Sequence, residues 1–164
     1  MSRVLVYSGL LVAAGLVHVA WLARMQISGA IMDPLLPIAV AVGILRGAEY
    51  GAAVGLAAGL LQDLLSGGPL GVNGLIKLVI GFASGLFVRS IYIENPLLPA
   101  VATFAGTLFG EILLAVVGQV TGLAPEASSA GILRAFAQAV LNSAVAPFLF
   151  RGVKRIEFRL ERPR

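Results

Sequence analysis

The stretch from Leu35 to Leu65, LLPIAVAVGILRGAEYGAAVGLAAGLLQDLL, decides how the chain folds. One helix over these residues would be about 46 Å long and would place Arg46 and Glu49 at its centre. Two charges at the middle of a membrane cost several kcal/mol, because lipid cannot solvate them. The stretch therefore predicts two short helices, Ile31–Leu45 and Gly47–Leu65, with both charges at a tight turn between them.

The composition around this stretch is that of a membrane protein. Of the 164 residues 59% are hydrophobic and only 12% are charged, whereas soluble domains are about 45–50% apolar and about 25% charged. A soluble domain and a disordered chain are both excluded on this ground. The chain has no cysteine, which rules out a disulfide framework and any cysteine-based metal site or nucleophile.

Four further apolar runs complete the predicted architecture, at Val4–Ala23, Gly71–Val88, Leu97–Val120 and Leu133–Phe150. The first run is too long for the apolar core of an ordinary signal peptide, so we interpret it as a retained helix. The sequence thus predicts an all-α, polytopic six-helix bundle in residues 1–150. A basic juxtamembrane tail follows in residues 151–164.

The cations predict the orientation of this bundle. With six spans both ends of the chain share one side, which holds nine cations: Arg3, Arg46, Arg89 and the six of the tail. The other side holds two, Arg24 and Arg134. Because loops rich in Lys and Arg stay in the cytoplasm, both termini are expected there. Half of the cations lie in the tail, so the net charge of +4 does not indicate nucleic-acid binding.

Small residues recur every four positions in several runs. In lipid, such spacing favours close contact between helix backbones, although glycine is also common in membrane helices generally. The candidate helix-packing residues are Gly47, Gly51, Gly55, Gly59, Gly81, Gly85, Gly106 and Gly110.

Polar side chains within the apolar runs predict an interior cluster in the outer half of the bundle. Its expected members are His18, Asp63, Lys77, Glu111 and Gln138. Lys77 and Glu111 fall at one depth on different helices, so we expect them to form an ion pair. The alternatives are that Lys77 extends to the headgroups, that Glu111 is protonated and hydrogen-bonded to a neighbouring helix, that Asp63 caps the glycine-rich loop, and that His18 is a hydrogen-bonded packing residue.

No set of side chains in the sequence indicates catalysis. The segment Ser66–Lys77, SGGPLGVNGLIK, lacks the ending of a phosphate-binding loop, and no nucleophile, base and orienting group are apparent. We therefore expect neither enzymatic activity nor a cofactor or metal. The tail cations Arg151, Lys154, Arg155, Arg159 and Arg162 predict contact with the inner leaflet, the alternative being contact with a cytoplasmic filament protein.

The residues Gly59–Gly71, GLLQDLLSGGPLG, resemble the signature region of the MreD family of bacterial rod-shape-determining membrane proteins. In that family a glycine-spaced helix ends in an Asp-Leu-Leu turn, and a Gly/Pro-rich loop leads to the next helix. The matching positions here are Asp63, Gly67, Gly68, Pro69 and Gly71.

This resemblance implies a non-enzymatic, multi-pass subunit of the cell-wall elongation machinery in the bacterial inner membrane. The implied partners are an MreC-like single-span protein and, with it, the RodA glycosyltransferase, its transpeptidase partner and MreB filaments. Pairing of the chain with itself stays open. The family is also similar to the six-span substrate-binding subunits of energy-coupling-factor transporters. This second similarity implies an alternative function, the binding of a small vitamin-type molecule, which would require a ligand-sized cavity.

Overall fold

The protein is described by a computed structural model covering residues 3–20, 26, 29–67, 69–87, 97–121 and 129–161. Within these ranges the fold is all-α. The six helices are α1 (Arg3–Ala20), α2 (Leu35–Arg46), α3 (Ala48–Ser66), α4 (Val72–Phe87), α5 (Leu98–Thr121) and α6 (Ser129–Glu161). The predicted all-helical, six-helix fold is confirmed.

The break between α2 and α3 lies where the two charges predict it. Gly47 joins the helices with φ of +98°, a backbone conformation that side-chain-bearing residues rarely adopt, and its N–H donates to the Gly43 carbonyl at 2.8 Å. The start of α2 differs from the expected Ile31. Pro34 precedes the first turn, and the Asp33 carboxylate accepts the Leu35 N–H at 2.9 Å, so the helix begins at Leu35.

Helix α2 is the centre of the bundle. Every residue from Leu35 to Ile44 is buried, and α2 contacts each of the other five helices. Its 12 residues measure about 18 Å along the axis, against the roughly 30 Å of a hydrocarbon core. Because protein surrounds it on all sides, this helix meets other helices rather than lipid.

Helices α3 and α4 are antiparallel and nearly in backbone contact. A Cβ added to Gly51, Gly55 or Gly59 would overlap a backbone carbonyl of α4. The carbonyls belong to Gly81, Lys77 and Asn73, so each step of four residues up α3 matches a step of four back along α4. Gly85 meets the backbone of Ala48 in the same way. Only residues without a side chain permit this approach.

The other candidate packing glycines have different surroundings. A Cβ added to Gly47 would have open space around it, so that position requires glycine for its φ rather than for packing. Gly106 and Gly110 on α5 face side chains of α4, and an added Cβ would lie 2.7 Å from Ile80 Cγ2 and 3.2 Å from Ile76 Cγ2, respectively.

The six helices alternate in direction, which gives the bundle two ends. At the Arg46 end, Arg3 of α1 and Arg46 of α2 both meet Glu157 of α6. At the Lys77 end, the end of α1 contacts the segment before α2, and the end of α3 contacts the start of α4. At the same end, α5 contacts the first turns of α6. The start of α1 and the end of α6 therefore share one end, as the alternation of six helices predicts.

Helix α6 extends further than expected. The sequence predicts an end at Phe150, but the helix runs unbroken to Glu161. Its buried stripe continues at spacings of three and four residues beyond Phe150, and the members are Ala139, Asn142, Ala146, Phe150, Val153 and Glu157. The segment after Phe150 thus packs against the bundle through Val153 and Glu157 instead of lying apart from it.

Three of the described helices are long and apolar enough to cross a membrane: Arg3–Ala20, Leu98–Val120 and Ser129–Glu161. Leu35–Arg46 and Val72–Leu86 are shorter apolar helices. Large apolar side chains such as Leu16, Ile112 and Phe148 are more than half exposed. Such an outer surface suits a bundle whose solvent is lipid.

Candidate functional site

A buried ion pair lies at the Lys77 end, between α4 and the residues that lead into α2. Lys77 Nζ is 2.7 Å from Asp33 Oδ2, and each side chain is only 5% exposed. The expected pairing of Lys77 with Glu111 is therefore wrong. Asp33 directly precedes α2, the helix enclosed by all the others, and this position brings its carboxylate to Lys77.

Asp33 also connects to the last two helices through a chain of hydrogen bonds. The Asp33 N–H donates to Asn142 Oδ1 at 2.8 Å, and Asn142 Nδ2 donates to Thr107 Oγ1 at 3.2 Å. The Thr107 hydroxyl donates to the Thr103 carbonyl at 2.8 Å. Because all four residues are buried, these bonds satisfy groups that would otherwise be costly in the interior.

Glu111 has a different partner from the one expected. Its Oε2 atom lies 3.0 Å from Arg134 Nη2, which joins α5 to the first turns of α6. The Glu111 side chain is 12% exposed, whereas that of Arg134 is 53% exposed. This second ion pair therefore lies towards the surface of the Lys77 end, while the Asp33–Lys77 pair lies inside.

These groups surround a cavity of about 260 Å³, which we call the Lys77 cavity. Four members of the predicted cluster line it, namely His18, Lys77, Glu111 and Gln138. Asp33, Asn142 and Arg134 complete its polar wall. His18 Nδ1 lies 2.9 Å from the Met32 carbonyl, which also fits the alternative interpretation of His18 as a hydrogen-bonded packing residue.

Asp63 does not belong to this cavity. It is 1% exposed, and its carboxylate accepts the Gly71 N–H at 2.8 Å, the Asn73 side-chain amide at 2.8 Å, and the N–H groups of Asn73 and Gly74 at 3.4 Å each. The grouping with His18 and Lys77 by depth is wrong for this residue. Asp63 instead caps the start of α4 from the last turns of α3, which is the alternative weighed above.

The rest of the signature loop is shaped by glycine. Gly67 ends α3 with φ of +67°, and Gly71 precedes α4 with φ of +95°. Both conformations strain residues that carry a Cβ. Pro69 is exposed, and Gly68 lies outside the described residues.

A second polar cluster, absent from the sequence-based expectations, lies at the Arg46 end. Glu157 is 6% exposed and accepts a hydrogen bond from the Tyr7 hydroxyl. Its other oxygen faces Arg46 at 3.5 Å and Arg3 at 4.0 Å, and the Arg46 guanidinium lies 4.0 Å above the Tyr50 ring. The cluster ties the extension of α6 to the ends of α1 and α2.

Asp33, Arg134, Asn142 and Glu157 are site residues that sequence reasoning missed. Asn142 and Glu157 carried a usable signal, because they continue the spacing of three and four residues along α6. The sequence did not indicate a role for Asp33 in the site, because an Asp-Pro pair before an apolar run is typical of an ordinary helix start.

The chemistry of the two clusters is that of paired charges. In these two clusters the carboxylates of Asp33, Glu111 and Glu157 each face a cation. In the part of the chain that the structure describes, no group of three His, Asp or Glu side chains is placed to hold a metal ion. The tail cations Arg151, Lys154, Arg155 and Arg159 are exposed on α6, and Arg162 lies outside the described residues.

Comparison with known proteins gives one finding. No curated protein and no solved structure matches the chain, and the similarity to energy-coupling-factor subunits stays a prediction. The family model described as rod shape-determining protein MreD matches residues 4–153, which include the Asp33–Lys77 network, whereas Arg3 and Glu157 of the second cluster lie just outside the match. The chain therefore belongs to the MreD family of rod shape-determining proteins.

Proposed function

We propose that this protein is a non-enzymatic scaffold of the bacterial cell-wall elongation machinery and that it binds an MreC-like single-span partner. Its family is one of membrane proteins with a role in rod shape determination. The observation that carries the scaffold role is the family match together with an interior whose charges pair with one another. RodA, its transpeptidase partner and MreB filaments would associate through this complex.

We propose that the protein resides in the inner membrane as a multi-pass protein with the Arg46 end in the cytoplasm. Residues 1–150 would form the membrane domain, and residues 151–164 would carry the basic segment. The cations Arg151, Lys154, Arg155 and Arg159 are exposed on a helix held in place by Val153 and Glu157. This arrangement suits contact with anionic headgroups of the inner leaflet, at about 1 kcal/mol per cation.

The outer faces of α1 and α5 are the surfaces that we assign to a partner helix. Both present rows of exposed apolar side chains, including Val12 and Leu16 on α1 and Ile112 and Val116 on α5. A single-span helix can pack along either row without disturbing α2, which lies on the opposite side of these helices.

Site-specific photo-crosslinking in cells tests this proposal. A photoreactive residue at Leu16 or Ile112 should crosslink to the MreC-like partner, whereas one at buried Val40 should not. The same strains, depleted of the natural copy, should keep their rod shape. If the partner neither crosslinks at any exposed apolar position nor co-purifies in mild detergent, the scaffold role is wrong.

The basic segment has its own test. Replacing Lys154, Arg155 and Arg159 together by Gln removes exposed charge and leaves Glu157 and its partners intact. If the variant inserts normally but no longer supports rod shape, the segment contacts a cytoplasmic protein. If insertion or orientation fails, the segment acts as a headgroup anchor.

The Lys77 cavity favours the alternative function of a substrate-binding subunit of a vitamin-type transporter. Its volume of about 260 Å³ lies just below the common range for ligand pockets, roughly 300–1,000 Å³. Uptake assays in cells with and without the protein separate the two functions. A scaffold changes cell shape on depletion, whereas a transporter subunit changes the uptake of its substrate and leaves the shape intact.

A further inference from the structure

We propose that the Lys77 cavity is a binding site for a small uncharged molecule that carries several hydroxyl groups. This inference goes beyond the scaffold function, which needs no ligand. The cavity is bounded by residues of all the helices and of the segment before α2, and Arg134 at its edge is half exposed. A solute can therefore approach from the Lys77 end.

The charges around the cavity favour an uncharged ligand. Lys77 is paired with Asp33 and Arg134 with Glu111, so these two cations and two anions balance. A charged ligand finds no unpaired opposite charge among these four groups, and competition for Asp33 or Lys77 would leave the other of these two buried groups without its partner. An uncharged molecule meets no such cost.

Hydrogen-bond acceptors in the cavity wall favour a ligand that carries donor groups. Gln62 lines the cavity, and its Oε1 is buried without a hydrogen-bond partner among the described residues, so a turn of this amide towards the cavity offers a ligand an unsatisfied acceptor. The Met32 carbonyl can only accept, so His18 Nδ1 is the donor of this hydrogen bond, and in the matching uncharged tautomer Nε2 is an acceptor. Hydroxyl groups donate to such acceptors and can also accept from Arg134.

The remaining wall suits the carbon skeleton of such a molecule. Leu36, Ile76, Ile80 and Leu114 line the cavity together with Gly106 and Gly110. These residues offer an apolar surface for C–H groups, next to the polar wall. A volume of about 260 Å³ is small for a ligand pocket, which favours a ligand with a single small ring or a short chain.

Because the natural chain has no cysteine, a single introduced cysteine can report on the cavity. Gln138→Cys places a thiol in the cavity wall, and Gln119→Cys places a matched thiol on the exposed face of α5. The full-length protein in lipid nanodiscs is treated with a small uncharged thiol reagent, with and without myo-inositol or glucose. At least one probe should slow labelling of Gln138→Cys at least threefold in a saturable way and leave Gln119→Cys unchanged.

A second pair of measurements tests the recognition itself. In the protein that carries Gln138→Cys, the further change Gln62→Met keeps the size of the side chain and removes its acceptor. The probe concentration that gives half-maximal protection should then rise about tenfold. Inositol phosphate and glucosamine, the charged counterparts, should protect at least tenfold more weakly than the neutral probes. The proposal is overturned if neither neutral probe protects, or if the charged compounds protect equally well. If Gln62→Met fails to fold, the comparison of neutral and charged probes decides alone. None of these outcomes bears on partner binding, which crosslinking measures separately.

Discussion

Asp33 is the residue on which the interior of the Lys77 end depends. Its carboxylate holds Lys77 and the first N–H of α2, and its own N–H reaches Asn142. An isolated charge in such surroundings would be costly, and the pair is tolerated because the two charges neutralise each other and the Asp33 carboxylate also accepts the Leu35 N–H. This one residue, through its side chain and its backbone N–H, thus links α2, α4 and α6.

Removing either member of the Asp33–Lys77 pair should destabilise the bundle. Asp33→Asn and Lys77→Met should each lower the free energy of unfolding by about 3–5 kcal/mol, because the remaining charge loses its partner. The double variant should lose less than the sum of the two. Thermal or denaturant unfolding in detergent measures all three.

Glu111→Gln provides the control for this cycle. Its partner Arg134 is 53% exposed and can be solvated when the ion pair is lost, so the expected cost is about 0–1 kcal/mol. Strict additivity of the Asp33 and Lys77 variants would show that the two side chains do not interact.

At the Arg46 end, Glu157 links the helices as Asp33 does at the Lys77 end. Glu157→Ala leaves the buried Tyr7 hydroxyl without an acceptor, which should cost about 1–3 kcal/mol. Glu161→Ala, one turn further along and exposed, should change stability by less than about 0.5 kcal/mol. Equal unfolding midpoints for the two variants would argue against the cluster at this end.

At the scale of elements, the α3–α4 pair is the tightest contact of the bundle. The backbones meet at Gly51, Gly55 and Gly59, and the signature loop closes the pair at the Lys77 end through Asp63. Since lipid gives no hydrophobic attraction between helices, close packing and hydrogen bonds must supply the stability of this hairpin.

A single methyl group should disrupt this contact. At Gly55 an added Cβ would overlap the backbone of Lys77, so Gly55→Ala should destabilise by about 1–3 kcal/mol or more. Gly9→Ala, on a helix face with open space, should be neutral or stabilising by about 0.5–1 kcal/mol, because alanine favours the helix. Folded yield and the unfolding midpoint in detergent compare the two. A Gly55→Ala protein as stable as the natural one would contradict the packing role.

At the scale of the whole molecule, a cluster of paired polar side chains connects the helices at each end of an apolar body. The Asp33–Lys77 network closes one end, and the Glu157 cluster closes the other. Between them lies α2, which is too short to span the bilayer and is enclosed by its neighbours. The exposed outer faces of this body are where we propose that a partner binds.

The orientation of this body can be measured on single-cysteine variants. Glu49→Cys and Glu161→Cys, at the Arg46 end, should react with membrane-impermeant thiol reagents only after the cells are opened. Leu70→Cys and Ser129→Cys, at the Lys77 end, should react in intact cells. All four positions are exposed, so access depends on the side of the membrane alone. Labelling of Glu161→Cys in intact cells would overturn the cytoplasmic placement of the Arg46 end, and different results for Glu49→Cys and Glu161→Cys would overturn the six-span topology.

Several features of the protein followed from its sequence alone. The charge at Arg46 and Glu49 predicted the split between α2 and α3, because lipid cannot accommodate two charges inside one helix. The GLLQDLLSGGPLG segment indicated the family to which the chain belongs. These are local properties, governed by which residues stand next to one another.

Only the tertiary structure decided which charges meet. Depth along each helix placed Lys77 and Glu111 at one level, but the rotation of each helix directs Lys77 to Asp33 and Glu111 to Arg134. Glu157 lies in a segment of basic character, yet the packing of α6 buries it beside Tyr7. Sequence spacing determines the depth and face of a residue, whereas the partner across the interface depends on how all six helices pack, and no single helix contains that information.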